Sequence, residues 1–182
     1  MTGIVIIGAG HAAGQAAASL RQAKFEGPIT IIGDEAHVPY QRPPLSKQYL
    51  AGTQLANKVY LRAEKFYADK DIQLMLDTRA TQIDPSTKTI NLCNGETIAY
   101  EKLLISTGSR PRKLSIEGSD LSGIHYLRTM DDVDGIRAEV KPGANLVIVG
   151  GGYIGLEVAA VGIELGMNVH VLEMEERILQ RV

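Results

Sequence analysis

The residue types best placed to do chemistry in this chain are glycines, and the acids that follow them. One cluster reads Gly8-Ala9-Gly10-His11-Ala12-Ala13-Gly14, the other Gly150-Gly151-Gly152-Tyr153-Ile154-Gly155. A glycine at Gly8 and Gly150 lets the chain turn tightly after a strand. Gly10 and Gly152 let backbone approach a pyrophosphate, and Ala13 and Gly155 permit close helix–strand packing. The helix that follows offers unpaired N–H groups and a partial positive charge to phosphates. Roughly two dozen residues later stands an acid able to accept from ribose hydroxyls. It is Asp34 or Glu35 after the first cluster, and Glu173 after the second. Ala13 in place of a third glycine makes the first cluster the weaker of the two. Two such units on one chain point to two different dinucleotides exchanging electrons.

The elements needed to position these turns are legible around them. Ile4-Val5-Ile6-Ile7 is a β-branched run fit for a strand buried on both faces. Gln15 to Arg21 are strong helix formers, and Ile29-Thr30-Ile31-Ile32 reads as the next strand. The second unit repeats the order. Leu146-Val147-Ile148-Val149 precedes the glycines, Leu156 to Leu165 is helical in character with Gly166 as its stop, and Val169-His170-Val171-Leu172 follows.

Between the units, Asp71 to Leu76 and Arg79 to Ile83 read as strands. Thr89 to Cys93 and Glu96 to Tyr100 flank Asn94-Gly95, a strong hairpin signal. Leu103 to Thr107 reads as a buried strand closed by Gly108. Val38 to Lys47 holds three prolines, which enforce extended or turn geometry, and Ser46 is positioned to cap a short helix over Lys47 to Leu50. That loop directly follows the first acid, so it is expected to lie over the first dinucleotide. The fold class is α/β, a Rossmann-like, three-layer protein with two dinucleotide-binding units. Residues 1–110 form the N-terminal part of one domain, and 111–182 a linker and the start of a second.

Composition narrows the function classes. In 182 residues, 19 Lys+Arg against 21 Asp+Glu give a net charge of −2, which removes the general electrostatic case for nucleic acid. No run approaches the length of a membrane-spanning helix. One cysteine, Cys93, makes no intramolecular disulfide or metal cluster alone, and a reducing cytoplasm fits best. His11, His37, His125 and His170 are dispersed, with no ligand spacing on one face, so no metal site is read.

Taken together, several segments resemble the ferredoxin-reductase-like flavoproteins, FAD- and NADH-dependent reductases of 2Fe-2S ferredoxins or rubredoxin that serve oxygenases. The resemblance rests on Gly8-Ala9-Gly10, Gly33-Asp34-Glu35, Tyr40-Gln41-Arg42-Pro43-Pro44-Leu45-Ser46-Lys47, Thr107-Gly108-Ser109-Arg110-Pro111, Tyr126-Leu127-Arg128-Thr129 and Gly150 to Glu157. It covers the whole chain in order, and Pro-Pro-Leu-Ser-Lys discriminates best. It implies FAD on the first unit and NAD(H) on the second. By the family pattern Ala12, Asp34, Lys47, Ala80 and Arg128 contact FAD, with Arg42 and the Thr107-Gly108 turn nearby. Asp34 and Glu35 compete for the ribose. A Lys47–Glu157 pair beside flavin and nicotinamide is implied as the catalytic element. A solvated lysine, and a first-turn acid favoured by the helix dipole, are the plainer readings of those two residues.

Tyr153, and Ile154 beside it, belong to the nicotinamide turn. Tyr153 either covers the pocket or simply packs. Glu173 favours NADH over NADPH by repelling a 2′-phosphate, an inference that Arg177 weakens. Relatives that work through thiols need redox cysteines near the flavin. Cys93 falls in the hairpin instead, which favours one-electron delivery to an external metal centre. The resemblance implies a 2Fe-2S ferredoxin or rubredoxin as partner, with Arg110, Arg112 and Lys113 a small candidate basic patch for meeting it, unless these are only a solvated loop. The protein is expected to be a monomer or homodimer. The second unit stops soon after its ribose acid, so the chain reads as truncated and inactive alone. A nucleotide-binding fragment or interaction module, and a monodehydroascorbate reductase or NADH oxidase-like enzyme, are the alternatives.

Overall fold

A computed structural model describes residues 3–180. Along the chain run β1 (Ile4–Ile7), α1 (His11–Gln22), β2 (Ile29–Ile32), a 3-10 turn (Pro43–Ser46), α2 (Ala56–Val59), α3 (Glu64–Asp69), β3 (Ile72–Met75) and β4 (Ala80–Asp84). Then follow β5 (Thr89–Leu92), β6 (Thr97–Ala99), β7 (Lys102–Ile105), α4 (Met130–Glu139), β8 (Asn145–Val149), α5 (Tyr153–Glu164) and β9 (Asn168–Leu172). The chain packs as two compact units. One is the chain up to Gln41 with Tyr60–Ser109; the other is Arg42–Val59 with the chain from Arg110 on. Residues 42–59, which chain order places inside the first 110, thus pack with the second unit.

The first unit has three layers. Its central sheet is parallel, in the order β3-β2-β1-β7, with Ile4 opposite Ile29 and Lys102, and Ile7 opposite Ile32 and Ile105. Side chains alternate across the strands. Ile6, Ile29 and Ile31 pack with Ala13 and Ala17 of α1 and with Tyr67 of α3. Val5, Ile7 and Ile32 point the other way, onto Ile90 and Leu92 of the antiparallel sheet β4-β5-β6 and onto Tyr100 just after it. Burying each large aliphatic side chain here contributes roughly 1.5–3 kcal/mol. The Asn94-Gly95 hairpin forms as read, with Gly95 at φ +87° and β5 paired to β6.

β7 departs from the sequence reading. It is not a buried strand, for Ile105 is 59% exposed. Among the described residues β7 is the edge of the sheet and pairs only with β1. Apolar residues on an edge strand lose one flank of cover that a central strand enjoys.

In the second unit β8 and β9 pair in parallel, Asn145 opposite Asn168 and Val149 opposite Leu172, and α5 packs against them. Leu146 lies 2.7 Å from where a Cβ would stand on Gly162, so that glycine brings helix and strand together. Val147, Val149 and Leu172 face away from α5 and are exposed. Gly166 ends α5 as expected. It sits at φ +77° and donates to the Ile163 carbonyl, while the Met167 N–H reaches Gly162, the double bond of a Schellman stop.

Candidate functional site

In the first unit, Gly8 takes φ +103°, and its N–H donates to the Ile32 carbonyl. A Cβ there would lie 2.3 Å from the Ser106 carbonyl oxygen, so glycine is required. That contact sets the Ser106-Thr107-Gly108 turn directly beside the glycine turn. Gly10 is the N-cap of α1, and a Cβ on it would meet nothing within 4 Å. The space above the helix end is open. No side chain caps α1 and its first turn has no acid, so its leading N–H groups are not claimed by a local side chain. His11 and Ala12 begin the helix, both exposed.

Asp34 and Glu35 follow β2 and differ in environment. Glu35 accepts a hydrogen bond from the Tyr40 hydroxyl, whereas Asp34 is exposed. The Thr78 N–H donates to the Gly33 carbonyl and the Asp77 N–H to that of Glu35, which brings the chain entering Ala80 alongside these acids.

The second unit repeats this geometry. Gly150 is at φ +113°, Gly152 is the N-cap of α5 with open space over it, and α5 also lacks a side-chain cap and a first-turn acid. A Cβ on Gly155 would sit 2.1 Å from the Gly150 carbonyl oxygen, the close packing its position implied. Tyr153 and Ile154, at the head of α5, are exposed at 61% and 55%. Glu173 is anchored to its own turn. One carboxylate oxygen accepts from the Gly151 N–H at 2.7 Å, the other from the Met174 and Glu175 N–H groups.

The same unit holds a carboxylate–ammonium centre. α5 starts at Tyr153, so Glu157 lies past the first turn, and the dipole-favoured first-turn reading does not hold for it. Lys47 Nζ lies 2.8 Å from Glu157 Oε1 and donates to the Pro43 carbonyl at 3.3 Å. Ser46 Oγ donates to Glu157 Oε2 at 2.5 Å. Lys47 and Ser46 together hold the Glu157 carboxyl below its ordinary range, their hydrogen bonds outweighing its partial burial.

Ser46 therefore does not cap a helix over Lys47 to Leu50. Pro43 and Pro44 occupy the first positions of a 3-10 turn that ends at Ser46, and turns continue after it. Leu45, Tyr49 and Leu50 are buried beneath. The Tyr49 hydroxyl bonds Asp134 of α4, tying the segment down. Arg42 donates to the Arg128 carbonyl at 2.6 Å. Arg128 precedes α4, whose N-terminus carries a Thr129–Asp132 capping box. Its own Nε is buried with no hydrogen-bond partner. Sequence reasoning quoted Ser46 within a motif but missed its partner, and it missed the Tyr40–Glu35 and Tyr49–Asp134 bonds.

The donor set fits two dinucleotides: two uncapped helix N-termini under open glycines, an acid beyond each, and a buried arginine Nε in want of an acceptor. The family model of the pyridine nucleotide-disulphide oxidoreductases matches residues 2–182. The chain belongs to that family. Among this family's members it is 43% identical, over 98% of its length, to a probable ferredoxin reductase of Castellaniella defragrans. It is 42% identical, over 98% of its length, to a rubredoxin-NAD(+) reductase of Pseudomonas putida. It covers 44% and 46% of those relatives, and so spans less than half of each. A solved ferredoxin reductase from Rhodopseudomonas palustris superposes with a TM-score of 0.94 at 41% identity, over all of this chain and 45% of that one. The reductase in a covalent putidaredoxin reductase–putidaredoxin complex gives 0.90 at 39% identity, over all of this chain and 44% of that one. The Rossmann-like α/β architecture is shared by these relatives.

Proposed function

We propose that the intact protein is an FAD-dependent reductase. It takes hydride from NADH and passes electrons singly to a 2Fe-2S ferredoxin or rubredoxin that serves an oxygenase. The observation that carries this reading is the Lys47–Ser46–Glu157 centre, in a chain that also carries two glycine turns of dinucleotide type. The names of the relatives support the choice of acceptor. Bound FAD supplies the conversion of a two-electron hydride into single electrons.

The chain's own residues bind, orient and balance charge. The N–H groups after Gly10 and Gly152 receive pyrophosphates, of FAD on the first unit and NADH on the second. Asp34, the more exposed of the two acids after β2, takes the FAD ribose. Ala12, Ala80 and the Thr107-Gly108 turn are the further FAD contacts on the first unit. Glu173 takes the NADH ribose, and Tyr153 with Ile154 borders the nicotinamide.

A lysine ammonium carries three donors. Lys47 spends one on Glu157 and one on Pro43, which leaves a donor for negative charge arriving beside it on reduction. Among the described residues no helix is long and apolar enough to cross a membrane. A cytoplasmic location suits the reaction.

The test is purification of the intact gene product. A yellow protein that NADH bleaches anaerobically, and that then reduces a 2Fe-2S ferredoxin or rubredoxin, supports the reading. A colourless protein that never takes up FAD overturns it and favours a nucleotide-binding interaction module.

A further inference from the structure

Ser46 is the buried polar residue of the described chain, 4% exposed, and its hydroxyl has a single partner, Glu157 Oε2. The next residue, Lys47, holds the other oxygen of the same carboxylate. Two consecutive residues thus grip both oxygens of one glutamate from a distant helix. The grip is preset by the chain. Pro43 and Pro44 fix the backbone of the turn that ends at Ser46, and fully buried Leu45 anchors it.

We propose that Ser46 is a positioning residue of the reductase. By occupying Oε2 it restrains Glu157 to a one-oxygen contact with Lys47 and keeps the third ammonium donor available to the flavin.

A carboxylate not held by Ser46 is free to turn and to present either or both oxygens to the neighbouring ammonium. Lys47 would then commit two donors to Glu157 besides the one on Pro43. Ser46, donating to Oε2, holds the carboxylate with Oε1 toward Lys47. The lowered proton affinity of Glu157 follows from the same two donors, Lys47 first and Ser46 second. Among the described residues no other charged group contributes to it. The proposal rests on the reductase reading given above.

The test uses the intact protein and two readouts. The Glu157 carboxyl is titrated by side-chain 13C NMR in wild type, Ser46→Ala and Ser46→Thr. Stopped-flow absorbance follows flavin reduction by NADH in the same proteins. In Ser46→Ala the Glu157 titration is expected to move to higher pH, and reduction to slow about tenfold, as losing a hydrogen bond to a charged group implies, with NADH affinity unchanged. Ser46→Thr is expected to restore both. An unmoved titration in Ser46→Ala overturns the proposal, as does an unchanged reduction rate or a threonine variant that behaves like alanine. Ser46→Cys, which keeps the volume and weakens the donor, gives the same readings if the alanine variant does not fold. A protein that takes up no FAD removes the reductase reading, and with it the proposed role; the titration then still reports whether Ser46 holds Glu157.

Discussion

The Lys47 ammonium stands 2.8 Å from Oε1 of Glu157, joining the Pro-Pro-Leu-Ser-Lys segment to the helix of the second glycine turn. Lys47 is 42% exposed and Glu157 30%, so solvent screens the pair and its worth to stability alone is small. Its value lies in placement. A fixed positive charge with a donor to spare needs no reorganisation when negative charge arrives.

Replacing Lys47 with alanine in the intact protein therefore tests the chemistry. Flavin reduction by NADH, normalised to bound flavin, is expected to slow by about tenfold or more in a stopped-flow trace. An unchanged hydride-transfer rate removes Lys47 from the mechanism.

Glu157 also gives a pH signature. Its folded carboxyl is held below the ordinary 4.5 by Lys47 and Ser46. A depressed acid stabilises the fold above its unfolded pKa, and that contribution fades as pH falls through the folded value. The difference in Tm between wild type and Glu157→Gln is expected to be constant from neutral pH down to about 5 and to shrink in more acid buffer. A Tm difference independent of pH down to 3 means the pair is not formed.

Both strand–glycine–helix units were legible because their signals are local. β1 and β2 fall on the β-branched runs, and the turns need φ values that glycine alone tolerates at Gly8 and Gly150. The Asn94-Gly95 hairpin is legible for the same reason. The partner of Ser46 was not. A hydroxyl four residues before Leu50 satisfies a helix cap as well as a distant carboxylate, and only tertiary packing decides between them. The exposure of β7 follows from its edge place in the sheet order, which the composition of Leu103 to Ile105 does not encode. Arg21 gave no signal, because its partners are backbone carbonyls with no side-chain signature.

Arg21 is nonetheless the best-bonded side chain of the first unit. Its guanidinium donates to the carbonyls of Phe25, Gly27, Lys70 and Asp71 at 2.6–2.8 Å. It ties the turn after α1 to the turn before β3. Lysine keeps the charge but cannot match that fork. Arg21→Lys is expected to destabilise the fold by about 2 kcal/mol and Arg21→Ala by more, read from urea midpoints at constant m-value. Midpoints unchanged for both variants show that solvent satisfies these carbonyls equally well.

In the proposed reaction, nucleotide preference turns on Glu173. Three backbone N–H groups hold its carboxylate at the end of β9. Those bonds fix the carboxylate at the strand end, where the proposed nucleotide ribose would meet it. The same charge repels a 2′-phosphate, and Arg177, four residues on, is exposed. The intact protein is expected to show a higher kcat/KM for NADH than for NADPH. Glu173→Gln keeps an acceptor for the Gly151 N–H and removes only the charge. It is expected to raise kcat/KM for NADPH by about tenfold while lowering that for NADH far less. Steady-state kinetics with both nucleotides on both proteins decide the matter. A wild-type preference for NADPH, or a glutamine variant with an unaltered ratio, would assign the discrimination to another residue, with Arg177 the first to examine.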